Sequence, residues 1–301
     1  MSDTNCVERQ HEAMATTFTF RVRHAEVGYA RQALQAAFAE VDRIERLLSR
    51  FREGSDIWRI NHARRGEMVS LSEECHACLV LAAELWRRTA GAFDVTVGGV
   101  VDAIRAEQGR LIGDEQVARR LGERVAVELD PVQPRVAVVA DGATLDLGAI
   151  GKGFALDRAL ELLREWGVEH GLLNAGGSSI LAFGSGAEGA AGWPVALRGE
   201  RASCEWELAQ RALGASGTSE QGAHVVDPRR GSQRYQHRRA WALASTAAMA
   251  DALSTAWMTM TIDEIAAALT DGAAEREAVV EDFAGNLCRV TREGVTPLAA
   301  R

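Results

Sequence analysis

The sequence predicts an α+β fold of largely antiparallel sheets packed with helices in one globular unit. Three observations carry that expectation. The chain has 301 residues, 47% hydrophobic and 25% charged, the composition of a soluble protein able to bury one large core or two small ones. Segments with helical spacing alternate with clusters of short strands, without a strict βαβ beat. No linker rich in Pro, Gly and Ser divides the chain, and no short-period repeat runs through it.

The elements follow in order. Residues 27–51, VGYARQALQAAFAEVDRIERLLSRF, place apolar side chains at helical spacing and predict a long amphipathic helix. A second helix is expected over 72–90, opened by Ser72 with Glu73 and Glu74 in its first turn and stopped at Gly91. DEQVARRLGE (114–123) reads as a short helix, and VAVELD and RVAVVADG as strands around a turn with Pro131 and Pro134. A helix over 152–166 precedes strands near 170–174, 178–183, 193–198 and 204–210. A helix over 248–270 then leads to a hairpin, EAVVEDFAGNLCRV, turned at 284–286.

Charge and cysteine usage exclude several classes. A net charge of −8 and short Arg runs (64–66, 237–240) argue against a nucleic-acid or anionic-membrane surface. No run approaches the ~18 apolar residues of a membrane span. The first residues, MSDTNCVERQHEAM, lack an apolar signal core, so the expectation is a cytoplasmic protein. Five cysteines (Cys6, Cys75, Cys78, Cys204, Cys288) suit reduced thiols, and the single CxxC at Cys75 and Cys78 reads as helix packing rather than zinc.

Four stretches carry chemistry. LDLGAIGKGFALD (145–157) is a glycine-rich turn entering a helix, either a plain turn or one whose backbone N–H groups and Lys152 suit an anion; Gly153 after the lysine excludes a Walker A loop. LLNAGGSSI (172–180) reads as a phosphate nest or a tight hairpin turn. GTSEQGAHVVDPRRG (217–231) offers His224 and Asp227 ahead of Pro228. The fourth, STAAMADALSTAWM (245–258), is a small and apolar helix carrying Asp251 and Thr255 at i and i+4, so both face one side and offer two hard oxygens to Mg²⁺. Asp251 lies too far inside to be a cap, and a buried carboxylate needs a cation or a hydrogen-bond network.

Taken together these stretches resemble the ApbE family, the FAD:protein FMN transferases. The resemblance runs through AMATTF (13–18), FREGSDIWRIN (51–61), GAFDVTVG (91–98), LDLGAIGKGFALD, NAGG, HVVDPRRG and STAAMADALSTA. It implies a T-fold-like α+β unit over 13–301 behind an N-terminal tail over 1–12. It also implies Mg²⁺-dependent transfer of the FMN half of FAD to a Thr or Ser hydroxyl of an acceptor protein, with release of AMP. Carried over residue by residue, the metal ligands fall on Asp251, Thr255 and the Ala149 carbonyl. The flavin-nucleotide contacts fall on Met14, Phe51, Ala92, Phe93, Asp94, Asp146 and Lys152. Phe51 equally suits a core residue closing the first helix. The catalytic base falls on His224, with Asp227 orienting it or capping the turn, the cap being favoured. On this resemblance the small side chains of 245–258 let the pyrophosphate and its ion approach.

The chain departs from the family pattern at Ser178, Val95 and Arg230 and in a short 217–224 segment, changes that bear on acceptor identity. No copy of the family's acceptor pattern is present; DGATLD (141–146) only begins like it, so self-flavinylation is not expected. A Mg²⁺-dependent FAD pyrophosphatase and a non-enzymatic FAD-binding protein remain as alternatives.

Overall fold

Fourteen strands and seven helices account for the computed structural model over its described residues, 5–106, 126–140, 144–218, 225–230, 235–270 and 276–298. The first half comprises β1 (Cys6–Ala13), β2 (Thr16–Arg23), α1 (Val27–Leu48), α2 (Asp56–His62), β3 (Met68–Ser70), α3 (Glu73–Arg88), a 3₁₀ turn (Val95–Val97), α4 (Gly98–Ala106), β4 (Ala126–Leu129) and β5 (Arg135–Ala140). The second half adds α5 (Gly151–Glu165), β6 (His170–Ala175), β7 (Ser179–Phe183), β8 (Trp193–Arg198), β9 (Ser203–Leu208), β10 (Arg211–Gly217) and β11 (Arg239–Ala244). It closes with α6 (Ala247–Trp257), α7 (Ile262–Thr270), β12 (Glu277–Glu281), β13 (Leu287–Thr291) and β14 (Gly294–Leu298).

Nine strands form one sheet in the order β1-β2-β6-β7-β10-β11-β12-β13-β14, with β3-β5-β4 and β8-β9 as separate small sheets. Every pairing is antiparallel, as expected for this α+β class. The inner strands of the large sheet are buried on both faces. On β11, Ala240, Ala242 and Ala244 enter the main core with the helices, while Trp241 and Leu243 join a second core with Trp193 and Leu197 of the β8–β9 hairpin. Side chains alternate between faces along a strand, so each face receives its own apolar set.

Local chemistry explains the ends. In α1 the buried positions Ala30, Ala33, Leu34, Ala37, Phe38, Val41, Ile44 and Leu48 recur at helical spacing, and the helix stops at Leu48 rather than running to 51. Ser72 Oγ accepts the Cys75 N–H at 3.2 Å to open α3. Its far end closes on the Gly91 N–H to Trp86 carbonyl bond at 2.8 Å, with Ala90 and Gly91 both left-handed. Cys75 and Cys78 are buried on α3, and burial raises both thiol pKa values well above the ordinary thiol range, which makes them packing residues.

Several expectations change. Residues 6–12, expected in an N-terminal tail, form most of β1 and pair with β2; as an edge strand, β1 exposes Glu8, Arg9 and Gln10 and so lacks the apolar pattern of an inner strand. The helix expected over 248–270 is two helices. Thr261 restarts the chain as α7 through a reciprocal cap: Thr261 N–H donates to Glu264 Oε2 at 2.7 Å and Glu264 N–H to Thr261 Oγ1 at 3.3 Å. The strand expected over 204–210 ends at Leu208, where left-handed Gln210 turns the chain into β10. The helix expected over 114–123 lies outside the described residues.

Candidate functional site

Helix α6 is the centre of the molecule: all of its residues except Thr255 are buried. A Cβ at Gly153 would lie 2.1 Å from the Ala247 carbonyl oxygen, and one at Gly214 2.1 Å from that of Ala250. The first turn of α5 and strand β10 therefore rest directly on the α6 backbone. The small side chains of this helix admit neighbouring protein backbone, where the sequence suggested room for a ligand. Its N-terminus is filled by protein too, since Asp157 accepts the Ala247 and Ala248 N–H groups at 2.7 and 2.8 Å. Burial raises the Asp157 pKa to about 7, against the lowering effect of those two donors.

Asp251 stands one turn further along, only 3% exposed. Its Oδ1 accepts from Ser179 Oγ at 2.9 Å and its Oδ2 from the Gly153 N–H at 3.2 Å. In a regular helix the Gly153 N–H would turn to the Ala149 carbonyl four residues back. Here it reaches across to α6, and Ala149 lines the cleft beside it. Lys152 Nζ lies 3.4 Å from both Asp251 oxygens and 3.3 Å from the Gly148 carbonyl. Thr255 follows at i+4, its hydroxyl 3.2 Å from Ser216 Oγ, which is itself 3.0 Å from Ser254 Oγ.

The opposite wall carries Asp146. Its segment is fixed by backbone bonds, Asp146 N–H to Val95 carbonyl (2.8 Å) and Gly98 N–H to Thr144 carbonyl (2.9 Å). The Asn61 amide pairs with both backbone groups of Leu145, at 3.0 and 2.8 Å. Asp146 Oδ1 accepts the Gly148 N–H at 2.8 Å, and Arg50 Nε lies 3.1 Å from Oδ2. Asp94 caps the 3₁₀ turn, accepting the Thr96 N–H at 2.8 Å and its hydroxyl at 2.6 Å.

One cleft thus brings together Ala92, Phe93, Asp94, Asp146, Ala149, Lys152, Asp251 and Thr255, eight residues singled out from sequence. Ser178, Ser216, Val225, Val226 and Pro228 complete much of its lining. Two singled-out residues stand outside it. Met14 is half-buried in the β1–β2 hairpin turn, where it and Ala15 both adopt left-handed φ values of 50° and 58°. Two non-glycine residues in that conformation are strained, a feature that gathers at functional turns. Phe51 is 72% exposed, which rules out the core reading, and the Arg50 guanidinium sits 4.5 Å from its ring centroid. His224 lies outside the described residues. Asp227 does cap its turn: its carboxylate accepts the Arg229 N–H and grips the Arg229 guanidinium through both oxygens, all at 3.0 Å. Arg229 continues to Glu264 at 3.0 Å, tying this cleft wall to α7. Sequence reasoning missed Arg50, Asn61, Ser179 and Ser216, whose residue types give no signal until their partners are known.

Fold and cleft define an α+β protein whose polar site joins a buried carboxylate, a lysine and a glycine-rich helix start, a set suited to a phosphate-bearing ligand and a hard cation. The chain belongs to the ApbE family, whose model matches residues 14–280. It is similar to the FAD:protein FMN transferase of Haemophilus influenzae, 25% identical over 281 residues that cover 84% of this chain and 80% of the relative. The transferase of Klebsiella pneumoniae is 25% identical over 254 residues, covering 76% of this chain and 71% of that one. The ApbE protein of Thermotoga maritima superposes with a TM-score of 0.82 at 24% identity, covering 96% of this chain and 98% of its own. The flavin transferase ApbE of Vibrio cholerae gives 0.79 at 20% identity over 98% and 97%.

Proposed function

We propose that this chain is an FAD:protein FMN transferase, moving the FMN moiety of FAD to a Thr or Ser hydroxyl of an acceptor protein in a Mg²⁺-dependent reaction. A P–O bond forms between the FMN phosphorus and the acceptor oxygen, the pyrophosphate P–O bond breaks, AMP leaves, and the hydroxyl proton passes to a base. The observation that carries this reading is the convergence of Asp251, Thr255, Ala149 and Lys152 on one cleft in a chain of this family.

The donor set fits a hard cation: one carboxylate, one hydroxyl and one carbonyl, all oxygen. Bound there, Mg²⁺ would neutralise charge developing on the pyrophosphate oxygens. Ser179 and the Gly153 N–H orient the Asp251 carboxylate, and Lys152 stands at the start of α5 beside the Gly148–Ala149 turn, where its ammonium attracts a phosphate. His224 is the proposed base for the acceptor hydroxyl, and Met14 and Phe51 the proposed flanks of the flavin.

The test is to incubate the protein with FAD and Mg²⁺, with and without an acceptor domain carrying the family's Thr motif, following AMP, FMN and protein-bound flavin. AMP appearing in step with covalently fixed flavin is the expected result, abolished by chelation. Free FMN without labelled acceptor would make the chain a pyrophosphatase, and intact FAD throughout would make it a carrier. His224→Ala should slow transfer by roughly 10²–10⁴-fold.

A further inference from the structure

Just past α1 the chain inverts the usual order of inside and outside. The Arg50 side chain is 6% exposed while its neighbour Phe51 is 72% exposed. A buried guanidinium persists only where its charge and donors are met. Arg50 meets Asp102 of α4 through both terminal nitrogens, at 2.9 and 2.5 Å, and approaches Thr144 Oγ1 at 3.5 Å; its Nε makes no hydrogen bond but lies 3.1 Å from Asp146 Oδ2 as a charge pair. Asp102 is half exposed, and an ion pair at that surface contributes little by itself. Asp146, 13% exposed, is the partner that lines the cleft.

We propose that Arg50 is a positioning residue for the nucleotide site: it offsets the charge of the Asp146 carboxylate from behind the cleft wall and steadies the exposed Phe51 ring. The inference rests on the reading of Asp146 as a nucleotide contact. The Gly148 N–H holds Oδ1, and the Arg50 charge stands beside Oδ2. A cleft meant for a pyrophosphate otherwise sets three carboxylates, Asp94, Asp146 and Asp251, against the ligand's own negative charge. Asp94 accepts from Thr96, Lys152 offsets Asp251, and Arg50 offsets Asp146 from behind the wall without occupying the cleft. The same guanidinium, planar and delocalised, lies over the Phe51 ring.

The experiment is an FAD titration followed by flavin fluorescence, with steady-state transfer in parallel, on the parent chain, Arg50→Gln, Arg50→Lys and Asp146→Asn. Arg50→Gln should weaken FAD binding by about tenfold, the loss of the charge that offsets Asp146, and raise KM for FAD while kcat changes little. Arg50→Lys restores charge without the fork and should recover only part of the affinity. Asp102→Asn, at an exposed residue, should give a smaller loss in the same direction and keeps the test open if Arg50→Gln does not fold. Parent-like FAD affinity in Arg50→Gln, with affinity lost in Asp146→Asn, would overturn the role of Arg50 alone. Parent-like affinity in Asp146→Asn would instead remove the reading of Asp146, and this proposal with it.

Discussion

The two acidic walls of the cleft are built on opposite plans. Asp251 sits mid-helix, its nearest donors the neutral Ser179 hydroxyl and Gly153 N–H at 2.9 and 3.2 Å, with the Lys152 ammonium further off at 3.4 Å. Asp146 sits outside any helix or strand, paired in charge with a buried arginine whose Nε lies 3.1 Å away without a hydrogen bond. A carboxylate oriented by neutral groups, with a lysine on a flexible stem at the edge of contact, can exchange that ammonium for an incoming cation. One matched by a fixed guanidinium is a shaped hydrogen-bond acceptor with little net field. On the proposed reading, the cleft separates a cation-holding side from a ligand-orienting side, although both present the same functional group.

The sharpest way to break that comparison is Asp251→Ala, which should lower Mg²⁺-dependent turnover by about 10³-fold while circular dichroism stays that of the parent. Turnover within a few fold of the parent would end the assignment of the cation side. Next is Gly153→Ala, whose Cβ would meet the Ala247 carbonyl at 2.1 Å. Forcing α5 off α6 should cost about 1–3 kcal/mol of stability, seen as a lower urea midpoint, and should reduce turnover because the Gly153 N–H moves away from Asp251. A third carboxylate, Asp157, extends the contrast to the other end of α6. Its folded pKa of about 7 stands above the ordinary carboxylate value, so the folded state binds more protons than the unfolded one between the two. The stability of the parent relative to Asp157→Asn should decline as pH rises from the usual carboxylate range through about 7, and a flat difference in pH-dependent urea melts would refute it. The smallest effect is expected for Phe51→Ala: stability within about 0.5 kcal/mol of the parent, since the ring is exposed, and FAD affinity reduced by about threefold to tenfold.

The same contrast marks what the sequence could reveal. Asp251 and Thr255 were legible because helical periodicity alone places i and i+4 on one side, and an acidic residue in an apolar helix has few explanations. The glycine-rich entry to α5, the Ser72 cap and the β12–β13 hairpin were legible for similar local reasons. Strand β11 was not, because RAWALA is buried on both faces and shows no alternation of polar and apolar residues. The β1–β2 turn carries Met14 and Ala15 where Asn and Gly would have announced it. Arg50 could not be read at all. Its meaning lies in Asp102 and Asp146, 52 and 96 positions away, and long-range pairing leaves no periodic trace.

Helix α6 rests on β10 and β11, inner strands of a nine-stranded sheet covered on both faces, while the sheet's outer strand β14 is largely exposed. Amide protons of β10, β11 and α6 should then exchange with solvent only when the whole molecule opens, and those of β14 through local fraying. The cation side of the cleft would thus be among the last structures lost on denaturation, surviving events that release the sheet's rim.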